Sequence, residues 1–239
     1  MRYAIVDGRI TDEIALSLGR YADKLIKLPP SPLLAAPVAS HPDMLLWTFG
    51  RYIVTPSHYA KLAPEVFDEL ERAGFEIIQA TERISAEYPH DVALNCAAVG
   101  KHLIANTRSM SQSVREIADR HGLITLNTKQ GYAKCSSAVV SDNALITADK
   151  SIYVLAKQNG LDALLIEEGH VRLDGYGYGF IGGASGTAED SVLFCGNLSL
   201  HPDGEKIAEF CKSHNKVPIS LSSEPLYDYG TVMLWDTPT

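Results

Sequence analysis

Cys135 stands in Gly131-Tyr132-Ala133-Lys134-Cys135-Ser136, after a glycine-led turn and before an apolar run that reads as a strand. A sulfur so placed can face the channel of a closed fold. The Lys134 ammonium next to it would lower the thiol pKa and enrich the thiolate, the form that attacks carbon. The bland alternative is a small buried apolar side chain, the usual fate of a free cysteine. His41-Pro42-Asp43 is the second candidate. Residues two apart in an extended segment point to the same side. An imidazole there can protonate a leaving amine and then activate water near neutral pH, while the Asp43 carboxylate matches a planar guanidinium bidentately. Ser40 to Asp43 also has the composition of a plain turn.

His90-Asp91 repeats the histidine–acid pairing further on, with Asn95 in the same run. Adjacent residues point apart in a strand, so His90 is a second candidate acid/base and Asp91 a separate carboxylate. Asn95 can hydrogen-bond a substrate or simply satisfy strand packing. His201-Pro202-Asp203 opens a helix, where a capping role fits. Gly175-Tyr176-Gly177-Tyr178-Gly179 and Gly182-Gly183-Ala184-Ser185-Gly186 form the most flexible stretch. Glycines let backbone approach a ligand closely, and the tyrosines can form a wall; a flexible surface loop is the other reading. No GK[ST] ending makes it a phosphate loop. Glu224 and Asp228, near the last strand, are acids by location only. No His/Cys/Asp cluster has metal-ligand spacing, so no metal or cofactor is expected.

The elements that must position these residues recur. From His41, an apolar run over 44–49, a turn at Gly50-Arg51 and a strand over 52–55 lead into a helix that Gly74 ends. A strand follows over 75–78. The order returns from His90 (strand 92–99, Gly100-Lys101, strand 102–105, helix, Gly122, strand 123–126) and from Gly131, where Asp149 can cap the helix. A fourth copy uses Phe180-Ile181 and Ser191 to Cys195 as its hairpin. Tyr3 to Val6, a helix capped at Thr11-Asp12, a strand at Leu25-Ile26 and a terminal strand over 230–235 supply a fifth, shared between the chain ends. Repeats of this length mark closed or stacked architectures, and pairing the termini removes an open edge. A ring of five ββαβ units, a single domain over 1–239, is therefore expected. A doubly wound sheet would show single strands alternating with helices, whereas hairpins recur here.

Composition sets the outer limits. Hydrophobic residues make 46% of the chain and charged ones 21%, near the globular average. The formal net charge is -8, with no basic patch to follow a phosphate backbone, so nucleic acid is excluded as a partner. No apolar run of about 18 residues suggests a membrane span, and Met1 to Asp7 reads as a strand rather than a secretory leader. Cys96, Cys135, Cys195 and Cys211 are widely spaced and read as reduced thiols of a cytoplasmic protein, the three besides Cys135 as core.

A ring of five ββαβ units resembles the pentein superfamily, the guanidino-group-modifying enzymes. The 131–136 segment is similar to the loop that carries the family's nucleophilic cysteine before a small hydroxyl residue, here Ser136. His41-Pro42-Asp43 resembles its His-x-Asp element, and Phe180-Ile181-Gly182-Gly183 its double-glycine element without the accompanying acid. The resemblance implies a pentein-like α/β propeller and a hydrolase or amidinotransferase acting on a small guanidino or amidine compound. Cys135 would be the nucleophile and His41 or His90 the acid/base. Asp43, Asp91, Asn95, Lys134, Ser136, Gly182, Gly183 and Asp228 would surround the substrate. The superfamily also holds non-catalytic members, so a binding protein for a small molecule or a protein partner is the alternative, with homo-oligomerisation open to either.

Overall fold

The computed structural model describes residues 1–237; the last two residues of the expected domain lie outside it. The chain begins with β1 (Arg2–Asp7), α1 (Asp12–Leu18) and β2 (Lys24–Leu28). The Thr11 hydroxyl accepts the Ile14 N–H at 3.3 Å and caps α1. A single helical turn, α2 (Pro42–Leu45), precedes β3 (Trp47–Phe49) and β4 (Tyr52–Pro56). Then come α3 (Ser57–Leu62), α4 (Pro64–Arg72) and β5 (Glu76–Ala80). The next unit is β6 (Ala97–Val99), β7 (His102–Ala105), α5 (Gln112–Arg120) and β8 (Ile124–Asn127). After it come β9 (Ala138–Ser141), β10 (Ala144–Thr147), α6 (Lys150–Gln158) and β11 (Asp162–Leu165). The last complete unit is β12 (Ser185–Thr187), β13 (Ser191–Phe194), α7 (Gly204–Ser213) and β14 (Val217–Ser220), and β15 (Met233–Asp236) follows.

These strands make five sheets of three. In each, the middle strand runs antiparallel to its hairpin partner and parallel to the strand returning from the helix. The shared unit obeys the same rule: β1 lies between β15 and β2, with Ile5 opposite Met233 and Arg2 opposite Asp236. Five apolar clusters join neighbouring units in turn. One packs Val54 of β4 against Leu103 and the Val114 and Ile117 face of α5. Another packs Ile5 and Ile26 against Ile53, Phe67 and Leu70, and a third joins Val6, Ile14 and Leu18 to Leu193 and Cys195. Burial therefore runs around a ring closed by the chain termini, and the expected five-unit propeller is the observed fold.

Local details depart from expectation. His41 to Asp43 is not extended, because Pro42 starts α2. The apolar run over 44–49 is helix and then a short strand. The expected strand over 92–99 is ordered only from Ala97; residues 92–96 turn inward, with Asn95 N–H on Val92 O at 3.0 Å. A buried irregular segment and a buried strand are equally apolar, so periodicity cannot separate them. Cys96 thus precedes its strand. The helix after β4 breaks at Ala63 (φ -123, ψ 53), where Pro64 disfavours helical geometry in the residue before it. Phe180-Ile181 is not the hairpin strand, since Ser185–Thr187 pairs with β13 instead. The Phe180 N–H goes to the Asp228 carboxylate at 2.8 Å rather than to a ladder. Asp203 makes no side-chain cap on α7; its carboxylate takes the Glu167 N–H at 2.8 Å. Among the described residues no helix is long and apolar enough to cross a membrane.

Candidate functional site

Segments far apart in sequence converge on Cys135. Its Sγ donates to Asp43 Oδ2 at 3.2 Å and receives the Asn95 Nδ2 donor at 2.9 Å. Asn95 holds the two segments together. Its other amide proton goes to the Asp43 carbonyl at 3.1 Å, and its Oδ1 accepts the backbone N–H groups of Lys134 (2.8 Å) and Cys135 (3.1 Å). With its donors and its acceptor occupied inside the protein, Asn95 positions the thiol.

The double glycine sets the third side. A Cβ at Gly182 would overlap the carbonyls of Lys134, Cys135 and Ser137, and one at Gly183 would overlap the Asp228 carboxylate. Gly183 donates to the Cys135 carbonyl at 3.0 Å, and its own carbonyl accepts Tyr229 (3.1 Å) and Thr231 (2.8 Å). Asp228, buried, accepts Phe180 N–H at 2.8 Å and Gly230 N–H at 2.9 Å. Its carboxylate lies directly against Gly183 of the double glycine. Both glycines thus shape the site through backbone contacts. Glu224, the other acid singled out near the last strand, is exposed.

His41 is almost wholly buried, with Nδ1 3.7 Å from Asp228 and Nε2 3.8 Å from Asp7. Neither approach is a hydrogen bond. His41 Nε2 and Asp43 Oδ1 are buried without a hydrogen-bond partner among the described residues. Asp7, which no sequence motif marked, is engaged by the Arg9 guanidinium. His41, Cys135 and Asp228 line one cavity of 260 Å³, walled by Tyr132, Tyr176, Tyr178, Phe180, Met44, Leu173 and Val38. The tyrosine-glycine stretch therefore stands at the thiol.

Electrostatics invert one expectation. Burial pushes the Cys135 thiol well above its ordinary value, and the Asp43 and Asp228 charges push the same way against the Asn95 hydrogen bond. Lys134 does not offset this. Its side chain leaves toward the opposite end of the ring, donating to Thr231 Oγ1 at 3.1 Å and to the Ser137 carbonyl at 3.4 Å. It borders a separate 180 Å³ cavity there. Burial pulls the Lys134 ammonium down more strongly than its attraction to Asp43 and Cys135 raises it. The thiol rests protonated. Burial likewise raises Asp228, with His41 opposing.

Other expected residues stand elsewhere. His90 is exposed and makes no side-chain contact with the thiol site, because Asp91 and the turn after it carry the chain inward without it. Asp91 accepts the Tyr132 hydroxyl at 2.6 Å and so braces a wall of the cavity rather than lining it. Ser136 faces a small cavity of 70 Å³ beside His201 and Asp149. Cys96, Cys195 and Cys211 are buried and unpaired, each raised to about 12 by burial. Thr231, which sequence reasoning missed, has a positive φ of 75°, unusual for a β-branched residue. Its hydroxyl lies 2.8 Å from Asp43 Oδ2 and 3.0 Å from the Gly182 carbonyl while accepting Lys134, so it links Asp43 to the far cavity. Nothing in its residue type signals this; the strained backbone does.

Comparison with solved structures gives the fold a name. The chain superposes on the DDAH from Pseudomonas aeruginosa, solved with citrulline, with a TM-score of 0.55 at 11% identity, covering 92% of each chain. An amidinotransferase of the saxitoxin biosynthetic pathway from Microseira wollei gives 0.52 at 12% identity, over 83% of this chain and 70% of that one. The C. jejuni agmatine deiminase gives 0.52 at 10%, over 92% and 87%. These are pentein folds, and the ring described above is one. No curated protein sequence matches the chain. Residues 5–233 match the model of a family described as of unknown function, DUF6873.

Proposed function

The chain belongs to DUF6873, and we propose that it is a thiol enzyme of C–N bond chemistry, a hydrolase or amidinotransferase for a small guanidine or amidine cation. One observation carries this reading. Cys135, His41, Asp43 and Asp228 meet at one buried site, where His41 Nε2 and Asp43 Oδ1 have no hydrogen-bond partner among the described residues. A buried polar atom left unpaired costs about 1–3 kcal/mol. A guanidinium brings the planar donors that carboxylates accept, and its charge beside Sγ favours the thiolate that the acids now oppose. That the fold neighbours include an agmatine deiminase and an amidinotransferase supports the same chemistry here.

In this reading Cys135 gives its proton to Asp43 as the S–C bond forms at the guanidinium carbon. The adduct expels an amine when that C–N bond breaks, protonated by His41. Water then attacks the S-linked amidine carbon and yields a proton to His41. The C–S bond breaks, the thiolate takes its proton back from Asp43, and the O–H proton of the resulting protonated urea passes through water to the departed amine. Guanidinium and water become a urea and an ammonium ion; an amine in place of water gives amidino transfer.

The test compares two small electrophiles of nearly the same shape, cationic 2-chloroacetamidine and neutral 2-chloroacetamide, by peptide mass spectrometry. The amidine is expected to alkylate Cys135 at least about tenfold faster at pH 7, one unit of effective thiol pKa or more. Cys135→Ala should remain folded and abolish turnover of any guanidine that is hydrolysed. Equal alkylation rates, or turnover surviving in Cys135→Ala, would overturn the assignment and leave a ring that binds a ligand without chemistry.

A further inference from the structure

Resting on that reading, we infer the class of cation this site takes: a monocationic guanidine or amidine with an apolar tail and no carboxylate. The cavity is charged at one end only. Cys135, His41 and Asp228 stand together, and Asp43 lies directly behind the sulfur. The rest of the wall is carbon-rich, with Tyr132 and Phe180 stacked at 6.0 Å (28° between planes) and Tyr178 edge-on to Phe180 at 6.2 Å. Met44 and Leu173 complete it.

A substrate carboxylate would need a cation, and among the described residues no lysine or arginine lines this cavity. Arg9 does not line it, and its guanidinium spends four of its five N–H donors on both Asp7 oxygens and on the carbonyls of Ala36 (2.9 Å) and Pro37 (2.7 Å). Lys134 reaches the cavity at the other end of the ring. A carboxylate drawn in here would be desolvated against carbon with nothing to pair it.

An apolar tail, by contrast, meets aromatic and aliphatic carbon, whereas a second ammonium would find no carboxylate along that wall. Size agrees as well. A 150 Å³ apolar cavity admits benzene, so 260 Å³ holds a guanidinium plus roughly six carbons.

The experiment uses the wild-type chain and measures protection of Cys135 from 2-chloroacetamidine by n-butylguanidine, benzylguanidine, agmatine and L-arginine. n-Butylguanidine or benzylguanidine should half-protect at a concentration at least about tenfold below that of L-arginine and agmatine. L-Arginine or agmatine protecting as well as the alkyl compounds would overturn this inference while sustaining the thiol-enzyme reading. Protection by none of the guanidines would overturn both. In Asp228→Asn all four compounds should weaken together, whereas Phe180→Ala should weaken n-butylguanidine and benzylguanidine and leave methylguanidine unchanged. Equal loss for methylguanidine in Phe180→Ala would remove the aromatic wall as the source of preference.

Discussion

Cys135 shows how strongly surroundings decide what a residue type means. Beside Lys134 in sequence it reads as an activated thiol; buried against Asp43 and Asp228 it is a protonated one. A thiol whose pKa is raised on folding stabilises the fold below its unfolded value of about 8.5 and loses that contribution as pH climbs toward the folded value. Wild type should therefore lose melting temperature relative to Cys135→Ser as pH rises from 8 to 10, and a constant difference would contradict the burial argument. Asn95 sets the position of the sulfur. Asn95→Asp keeps the acceptor for Lys134 and Cys135 N–H but loses the donor to Sγ and adds a third acid. Iodoacetamide labelling of Cys135 at pH 8 should slow, and stability should fall by about 1–3 kcal/mol in urea titration. The residue types of Cys135, His41 and Asp43 were legible as chemistry in the sequence. Thr231 and Asp7 were not, because their parts come from a strained backbone and from neighbours distant in the chain.

At the scale of elements, the site is held by short irregular pieces rather than by strands. The one-turn helix α2 turns Asp43 to the thiol, and the inward turn over 92–96 delivers Asn95. Helices and hairpins were legible, as at the Thr11 and Asp149 caps, because capping and periodicity are local. The pieces that carry the site have no period of their own and read as strand or turn. The double glycine is the exception, a local signal whose reason is tertiary. Gly183→Ala must displace Asp228, whose carboxylate fills the space of the added methyl. It should cost about 1–3 kcal/mol as an overpacked site and abolish guanidine protection of Cys135. Protection at the wild-type concentration would show that Asp228 does not contact the ligand.

The whole ring depends on its termini. β15 and β1 pair over Arg2 to Ile5, and the Arg2–Asp236 bridge at 2.9 Å is too exposed to matter much by comparison. Deleting residues 233–239 would leave β1 with an open edge and uncover Tyr3 and Ile26, which pack with Met233. The truncated chain should melt well below the full one and aggregate on heating. Unchanged melting would mean that the other four sheets carry the fold without closure.

The sequence by itself determined the order of elements, the recurrence of the unit, the sharing of one unit between the ends, and the types of residue available for chemistry. Each is local, or a repetition of something local, so side-chain periodicity and turn chemistry record it. Tertiary structure alone decided which of those residues meet. It put His90 outside, turned Lys134 and Ser136 to other cavities, and brought Asp228 against the double glycine. It also set the protonation of the thiol, because the cost of a buried charge depends on every neighbour in space, and in a closed ring those neighbours come from all parts of the chain.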